Sequence, residues 1–560
     1  MSATEWLAAP VPDAAADLER AGFPAWLAAL LARRGVVDGE GARKFLAPSL
    51  DQLHDPFLLA GMEEGVGRLL QARAAGERVA VVGDYDVDGV TATAQLLAVL
   101  AACGCEARPI LPHRLREGYG FQPVHVERAL AEGCSLIVTA DCGSSSAEAV
   151  ERAFASGVGV LITDHHLPGC DLPAGTIHIN PHQPGCRYPF PDLAAAGLAF
   201  KLAVALAGRC GRALDLSALL RVACLGTIAD LVPLRGENRV IAALGLEALA
   251  HARSQGLKAL FQQAGIKPPF TAADVGFRIG PRLNAAGRLH EPDRALELLM
   301  SRDAGRALEL ATELDTWNRE RQAEEMRVVE EAGRMFAERS PLPPILVAWS
   351  PDWHKGVVGV AAGRIAKDFH RPAVLLALEE DRATGSGRSV PGVELHSFLV
   401  DWKERMLRFG GHAQAVGLTV AASELEELRR EWEEAAGRWS EGLLTRRHEY
   451  ELHLQPRQVT SRLLAELQRL EPFGQDNPRP LVRVGPLKLD GAPRLFGKGH
   501  LSARARGADG AAVEVVGWRW QERAEALGGH FEVLACVEND SYRGGPVLRL
   551  VDCRAVGEAP

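Results

Sequence analysis

Acids and imidazoles recur in this chain where short apolar runs end. Gly83-Asp84-Tyr85-Asp86-Val87-Asp88-Gly89 sets three carboxylates at alternate positions after Arg78-Val-Ala-Val-Val. Thr139-Ala140-Asp141-Cys142-Gly143 follows Ser135-Leu-Ile-Val, and Thr163-Asp164-His165-His166 follows Gly159-Val-Leu-Ile. A further acid, Asp230, closes the apolar helical run that begins at Leu225. Carboxylates set this closely repel one another unless cations neutralise them. Oxygen ligands mixed with imidazole suit Mn2+, or more weakly Mg2+, better than a thiolate metal. About six ligands suffice for two ions sharing a bridging carboxylate, and two ions ~4 Å apart can activate a water and stabilise an in-line phosphoryl transition state. Each element alone has a plainer reading. An Asp after a strand is ordinarily a helix N-cap. A His-His pair is ordinarily packed or superficial. DxDxDG opens calcium loops, but the Glu that such a loop needs later is absent. Recurrence at successive strand ends favours chemistry, because ligands of an open parallel sheet bind at the carboxyl ends of its strands.

The elements that must position these groups change period along the chain. Residues 14–75 read as helices, with helical apolar spacing in Pro24-Ala-Trp-Leu-Ala-Ala-Leu-Leu-Ala-Arg. Four strands, starting at Arg78, Ser135, Gly159 and Thr176, alternate with helices near Val90–Ala102 and Ala147–Ala155. That alternation implies a parallel, helix-covered sheet. Residues 194–310 are mostly helical, and the charged, breaker-poor stretch from Thr312 to Glu338 is expected to be one long, solvated spacer helix. A second α/β unit begins at Pro344-Ile-Leu-Val-Ala-Trp, and from about residue 448 short strands with Gly-rich turns suggest a small barrel. The expected division is an N-terminal helical segment (1–50), a catalytic α/β domain (51–310), a connecting helix (311–338), a smaller α/β substrate-binding domain (339–440) and a β-barrel (445–556).

Composition bounds the function less sharply. The chain has 560 residues, 47% hydrophobic and 24% charged, enough for several packed cores. No apolar run reaches the ~18 residues of a membrane helix, and the acidic N-terminal stretch lacks a signal pattern. A cytoplasmic protein without a membrane partner is expected. Ten cysteines, none in a CxxC pair, exclude a zinc ribbon and read as reduced and mostly buried. A net charge of −9 disfavours global attraction to nucleic acid, so a nucleic-acid enzyme of this charge needs a local basic groove.

Asp164-His165-His166 beside Gly83-Asp84-Tyr85-Asp86-Val87-Asp88-Gly89 resembles the DHH phosphoesterase family. Within that family the chain is similar to the single-strand-specific 5′→3′ exonucleases, and the likeness covers nearly all of it. The motifs that carry it run in order from Phe45-Leu-Ala-Pro-Ser-Leu-Asp-Gln-Leu-His-Asp-Pro-Phe through Pro112-His-Arg-Leu-Arg-Glu-Gly-Tyr-Gly-Phe to Gly280-Pro-Arg-Leu-Asn-Ala-Ala-Gly-Arg. Trp353-His-Lys-Gly-Val-Val-Gly-Val and Phe409-Gly-Gly-His-Ala-Gln-Ala-Val-Gly-Leu mark a DHHA1-type second domain, and Pro472-Phe-Gly-Gln-Asp-Asn-Pro opens what resembles the family's OB-fold. Lys355 and Val416 stand where the family often has Pro and Ala.

The resemblance implies a two-ion Mn2+ or Mg2+ enzyme that hydrolyses single-stranded DNA. It implies that Asp141 bridges the ions, that Asp88, His165 and Asp230 complete one site, and that Asp84 and Asp86 serve the other. Which of the three leading acids binds which ion stays open. His166 would face the scissile phosphate and assist the leaving oxygen, with Asp164 orienting the site. Arg114, Arg282, Asn284, Arg288, Ser386, Arg388 and His412 are expected to contact substrate, and Tyr119 to stack on a base. Arg114, Ser386 and Arg388 resemble a terminal 5′-phosphate pocket. The plain alternative for each Arg is a surface ion pair. A single-strand-binding protein and a helicase are the implied protein partners. Two other functions compete: a DHH phosphodiesterase for short oligonucleotides or cyclic dinucleotides, and a non-catalytic replication scaffold. The retained acids and histidines argue against the scaffold.

Overall fold

The computed structural model describes residues 4–113, 117–118, 120–540 and 544–556. Its catalytic sheet has five strands, all parallel, in the spatial order Glu106–Ile110, Arg78–Gly83, Leu136–Ala140, Gly159–Thr163, Ile177–Ile179. The three central strands are apolar on both faces, as a sheet covered by helices on both sides requires. Helices Val87–Ala102 and Ala195–Arg209 cover one face, and Pro123–Ala131 and Ala147–Ala155 the other. The strand Glu106–Ile110 has no apolar run to announce it. It lies at the sheet edge, largely exposed, where Pro109 costs no ladder bond.

A second sheet runs Met406–His412, Ala415–Ala421, Arg382–Arg388, Ala373–Glu379, Leu346–Ser350, with only the last pair parallel. In the C-terminal sheet, Leu481–Leu489 pairs with both His530–Asn539 and His500–Gly507, which closes a five-stranded OB-type barrel. All ten cysteines are free thiols, and six of them are buried.

Two expectations about the connecting parts need correction. The long helix is Ala304–Ala337, beginning before residue 311, and it is not a solvated spacer. Leu310 and Leu314 lie in the catalytic core, while Val328, Ala332 and Phe336 lie in the core of the second domain. Most of its charged residues lie on the outer face, Asp315 and Arg321 being buried, and one continuous helix ties the two domains. The N-terminal helices are likewise not a unit apart. Leu18, Leu27, Leu30, Leu31 and Phe45 share a core with Val482, Leu501, Phe531 and Leu548 of the barrel. Glu5–Ala8 also pairs in parallel with Arg447–Tyr450. The two ends of the chain thus build one module.

Candidate metal centre

The centre lies beyond the carboxyl ends of three neighbouring strands. The backbone N–H of Asp84 donates to Ala140 O at 3.1 Å, that of Asp141 to Thr163 O at 3.1 Å, and that of Asp164 to Ile179 O at 3.2 Å. Each acid is therefore the residue that carries the ladder one step past its strand, and the three form a row. Between the strands ending in Asp84 and Asp141 the chain order reverses direction across the sheet, the switch point at which such sheets bind ligands.

Local chemistry fixes the rest. Asp86 caps the helix Val87–Ala102, accepting from the N–H groups of Asp88 and Gly89 at 3.0 and 3.1 Å. A Cβ on Gly89 would meet the Asp84 backbone at 2.6–2.8 Å, so only glycine lets this loop fold back on itself. Asp88, 1% exposed, accepts from the N–H groups of Ala195 and Ala196 at 2.7 and 2.9 Å, the positive end of a second helix. Asp230 caps the C-terminal end of the helix Leu216–Ala229, whose Gly226 has no room for a Cβ: Asp88 Oδ1 and Thr91 Oγ1 would lie 2.4 Å from it.

These groups converge. Three sets each offer ligand atoms mutually within 4.8 Å: Asp84, Asp86 and Asp141; Asp88, His165 and Asp230; and Asp141, His165 and His166. Asp141 and His165 each belong to two of them. His165 Nε2 lies 3.2 Å from Asp141 Oδ1, 3.7 Å from Asp230 Oδ2 and 3.9 Å from Asp88 Oδ2. Both Nε2 of His165 and Oδ1 of Asp141 are buried without a hydrogen bond. Burial, then the charge of His166, pushes the His165 imidazole down to about 4, so the ring is neutral at pH 7 and its Nε2 is an electron-pair donor. The two atoms thus face each other without a hydrogen bond, an arrangement that a cation between them would satisfy. The acids say the same: burial and then the charge of Asp86 lift Asp88 to about 7, and burial followed by Asp88 and Asp86 lifts Asp230 to about 9. Burial and the charges of Asp86, Asp88, Asp84 and Asp230 hold Asp141 well above the usual carboxylate range. The donor set is hard oxygen plus imidazole, and it fits Mn2+ or Mg2+.

His166 is more exposed and differently held. Its Nδ1 lies 2.8 Å from Asp164 Oδ1, which also accepts the backbone N–H groups of His165 and His166, while Asp164 Oδ2 accepts from Ser144 N. Burial works against both charges, yet the hydrogen bond between them wins: Asp164 stays at about 2 and His166 is raised. Asn180 ties this pair to the sheet, donating to His166 O and Ser144 Oγ at 2.8 Å each. The sequence reading missed Ser144 and Asn180. Asn180 ends the strand Ile177–Ile179, so the rule that found the acids also covered it.

The expected substrate contacts divide. Arg114 and Tyr119 lie outside the described residues. Ser386 lines a cleft of 1270 Å³ between the two α/β domains, with Tyr85 of the acid loop on the opposite wall and Lys355, Lys403 and Arg408 along it. Arg388 stands on the same strand, with Gly359 of the second domain's helix Val358–Phe369 between them: a Cβ there would lie 3.1 Å from Ser386 Oγ and 3.2 Å from an Arg388 Nη. Asn284 and Arg288 line a separate 500 Å³ cavity, and the Asn284 side-chain oxygen also accepts from Val87 N, bracing the acid loop. Arg282 departs from expectation. Its guanidinium is held by Asp315 at 2.8 Å and by the carbonyls of Arg278 and Gln263, which makes it a brace onto the long helix. His412 is exposed at the end of its strand with Nδ1 accepting from Gln414 N, and it is Met406 to Gly410 of that strand that line the cleft.

Comparison with known proteins agrees with this layout. The N-terminal domain model of the DHH family matches residues 78–227, the DHHA1 domain residues 342–438, and the RecJ OB domain residues 450–551. The single-stranded-DNA-specific exonuclease RecJ of Escherichia coli (strain K12) is 36% identical over 88% of this chain and 89% of its own length. That of Bacillus subtilis (strain 168) is 37% identical over 90% of this chain, which spans 64% of that relative's length. The crystal structure of RecJ in complex with Mn2+ from Thermus thermophilus superposes with a TM-score of 0.83 at 30% identity, covering 99% of this chain and 80% of that one. A Mg2+ complex from the same organism gives 0.78 at 28% identity. On identity, coverage and domain order together, this chain belongs to the RecJ family.

Proposed function

We propose that this protein is a metal-dependent exonuclease that degrades single-stranded DNA 5′→3′ by phosphodiester hydrolysis, in DNA repair and recombination. The observation that carries this reading is Asp141: a buried carboxylate common to two ligand sets, its Oδ1 3.2 Å from His165 Nε2 with neither atom making a hydrogen bond. Mn2+ or Mg2+ is the cofactor, and two such ions, when bound, supply Lewis-acid stabilisation of the phosphoryl transition state and a more acidic water. Asp84, Asp86 and Asp141 would hold one, and Asp88, His165 and Asp230, with Asp141 shared, the other.

The remaining work falls to the chain itself. Asp164 fixes the His166 ring and favours its protonated form, so His166 Nε2 can donate a proton to a leaving oxygen at neutral pH. Ser386 lines the cleft opposite Tyr85 of the acid loop and Arg388 ends the same strand, where a hydroxyl and a guanidinium would grip the extra charge of a terminal 5′-phosphate. Arg288 and Asn284 are the nearer contacts for the strand that follows. The barrel holds the strand farther from the chemistry, in the manner of OB-folds. A single-strand-binding protein and a helicase are the partners this reading calls for, since one protects and the other produces the substrate. Among the described residues no helix is long and apolar enough to cross a membrane, and the proposed DNA substrate supports a cytoplasmic location.

The test is Mn2+-dependent digestion of single strands labelled at the 5′ end, beside a cyclic dinucleotide and duplex DNA. Release of labelled mononucleotide from the single strand alone is expected. Preferred cleavage of the cyclic dinucleotide would overturn the substrate assignment, and inactivity on all three with metal bound would leave a scaffold.

A further inference from the structure

The segment from Arg469 to Pro478, with its Pro-Phe-Gly-Gln-Asp-Asn-Pro motif, has no part in the metal chemistry, yet hydrogen bonds tie it to both the catalytic domain and the N-terminal helices. Arg239 lies in the first turn of the catalytic-domain helix Gly236–Leu249 and is 2% exposed. Its Nε donates to Phe45 O at 2.8 Å, its Nη1 to Leu470 O at 3.0 Å, and its Nη2 to Glu471 O at 2.7 Å and Arg469 O at 3.4 Å. The guanidinium also lies 3.8 Å from the centre of the Phe45 ring. Phe45 belongs to the last turn of Gly39–Leu46, and Arg469 to Glu471 directly follow Ser461–Gln468. The charge is therefore balanced by the carbonyl ends of two helices, one from each end of the chain.

Both helices belong to the terminal module that shares the barrel core. From inside that module Arg34 braces the same segment, donating to Asn477 Oδ1 at 2.7 Å and pairing with Glu451 at 2.8 Å. Asn477 in turn donates to Leu470 O and Pro472 O. On the catalytic side, Leu234 N donates to Gln475 O at 2.8 Å. Four residues upstream of Leu234 stands Asp230, and between them Leu231 holds a left-handed backbone at φ 62, a conformation a leucine keeps only when its surroundings impose it. Beside the joint the two bodies stand apart around a cavity of 440 Å³ lined by Leu246, Phe270, Phe473 and Arg479. The short run from Asp230 to Arg239 thus carries a candidate metal ligand at one end and the docking point of the barrel at the other.

We propose that Arg239 is a positioning residue for long substrates: it sets the barrel module at a fixed distance and angle from the metal centre, so that a strand gripped by the barrel reaches the ions in register. This rests on the exonuclease reading above, and specifically on the barrel's grip. A strand bound by two modules gains affinity from the effective concentration the first imposes on the second, and that gain depends on their geometry. A trinucleotide held in the cleft between the two α/β domains does not reach the barrel and has nothing to lose.

The experiment measures kcat and KM of the full chain with Mn2+ on a 5′-phosphorylated thymidine trinucleotide and on a thymidine homopolymer long enough to reach the barrel. For Arg239→Met, KM on the long strand should rise about tenfold, with kcat on it and kcat/KM on the trinucleotide within about twofold of the parent. Arg239→Lys should recover part of the difference, because one ammonium satisfies fewer of the four carbonyls than a planar fork does. Phe45→Leu, which keeps every hydrogen bond but removes the stacking face, should show a smaller effect of the same kind and serves if Arg239→Met does not fold. An unchanged KM on the long strand in a folded variant, or equal losses on both substrates, overturns the proposal. A parent chain whose own KM does not depend on strand length overturns the barrel's grip, and with it this inference.

Discussion

Metal binding by this centre should release protons, and the number can be worked from the environments of two acids. Metal ligation requires ionised carboxylates. Asp88, held at about 7, is half protonated at pH 7, and Asp230, held at about 9, is almost wholly so. Filling the sites at pH 7 should therefore expel about half a proton from Asp88 plus about one from Asp230, roughly 1.5 in all. The sign follows from the direction of the shifts. Both carboxyls are raised, so their protonation favours the metal-free fold; that contribution is full below the ordinary carboxylate range and is lost as pH climbs through about 7 and about 9. Apparent Mn2+ affinity must then rise with pH, by about thirtyfold per unit near pH 7 if 1.5 protons leave. The thermal stabilisation that Mn2+ confers should likewise grow with pH. Titration calorimetry in buffers of differing ionisation enthalpy reads the proton count directly. A binding enthalpy independent of buffer, with affinity flat across the neutral range, would mean that the acids are already ionised without metal, and the account of the buried carboxylates would be wrong.

Three further outcomes follow from the geometry. Asp141→Ala should abolish hydrolysis while leaving far-ultraviolet circular dichroism unchanged, since one truncation removes a donor from two ligand sets; near-normal Mn2+-dependent activity would end the shared-ligand reading. His166→Ala should lower kcat by ~10²–10⁴-fold with metal affinity largely kept, whereas His165→Ala should lose metal; the reverse pattern in calorimetry would exchange their roles. Arg388→Ala should reduce kcat/KM on 5′-phosphorylated strands by roughly ten- to a hundredfold relative to 5′-hydroxyl strands, the weight of a hydrogen bond to a charged group. An unchanged preference ratio would remove Arg388 from the terminal pocket.

The acids were legible because strand ends are legible. An apolar run followed by Asp at Asp84, Asp141 and Asp164 needs only the alternation of strands and helices to place all three in one row. Asp230 was harder, since nothing local distinguishes a ligand from a helix cap; in the structure it caps a helix and also stands in one of the groups that could hold an ion. The substrate arginines show where side-chain type stops being informative. Arg282 and Arg288 sit in one motif, yet one is consumed by Asp315 and the other lines a cavity, a difference made by a helix that comes later in the chain. The same long-range packing hid the status of the N-terminal helices. Their apolar stripe announced that something covers them, but not that the cover is the barrel from the other end of the chain. The long helix misled for a related reason. Its composition is dominated by an outer face of Glu and Arg, while the few residues that seat it, Leu310, Leu314, Val328 and Phe336, are spread over two cores.

A net charge of −9 looks wrong for an enzyme that grips a polyanion, and the layout shows why it is not. Five of the acids, Asp84, Asp86, Asp88, Asp141 and Asp230, are gathered where two divalent ions would bring four positive charges against them, leaving the centre near neutral to an approaching phosphate. Many of the remaining surface acids are paired with arginines, as in the cluster of Glu424, Glu427 and Glu431 around Arg405. The inter-domain cleft has its own local balance: Lys355, Lys403 and Arg408 line it together with Glu117 and Glu404, with Ser386 among them and Arg388 farther along the same strand. Ser386, proposed as part of the phosphate anchor, and Tyr85 of the acid loop stand on opposite walls of that cleft, on two domains tied by one helix. An anchor at a fixed span from the ions reads the end of a strand, and a terminal phosphate that fits only there makes the cut fall one step inward each time. Polarity, on this view, is a property of the rod that spaces the domains as much as of the residues that touch the DNA.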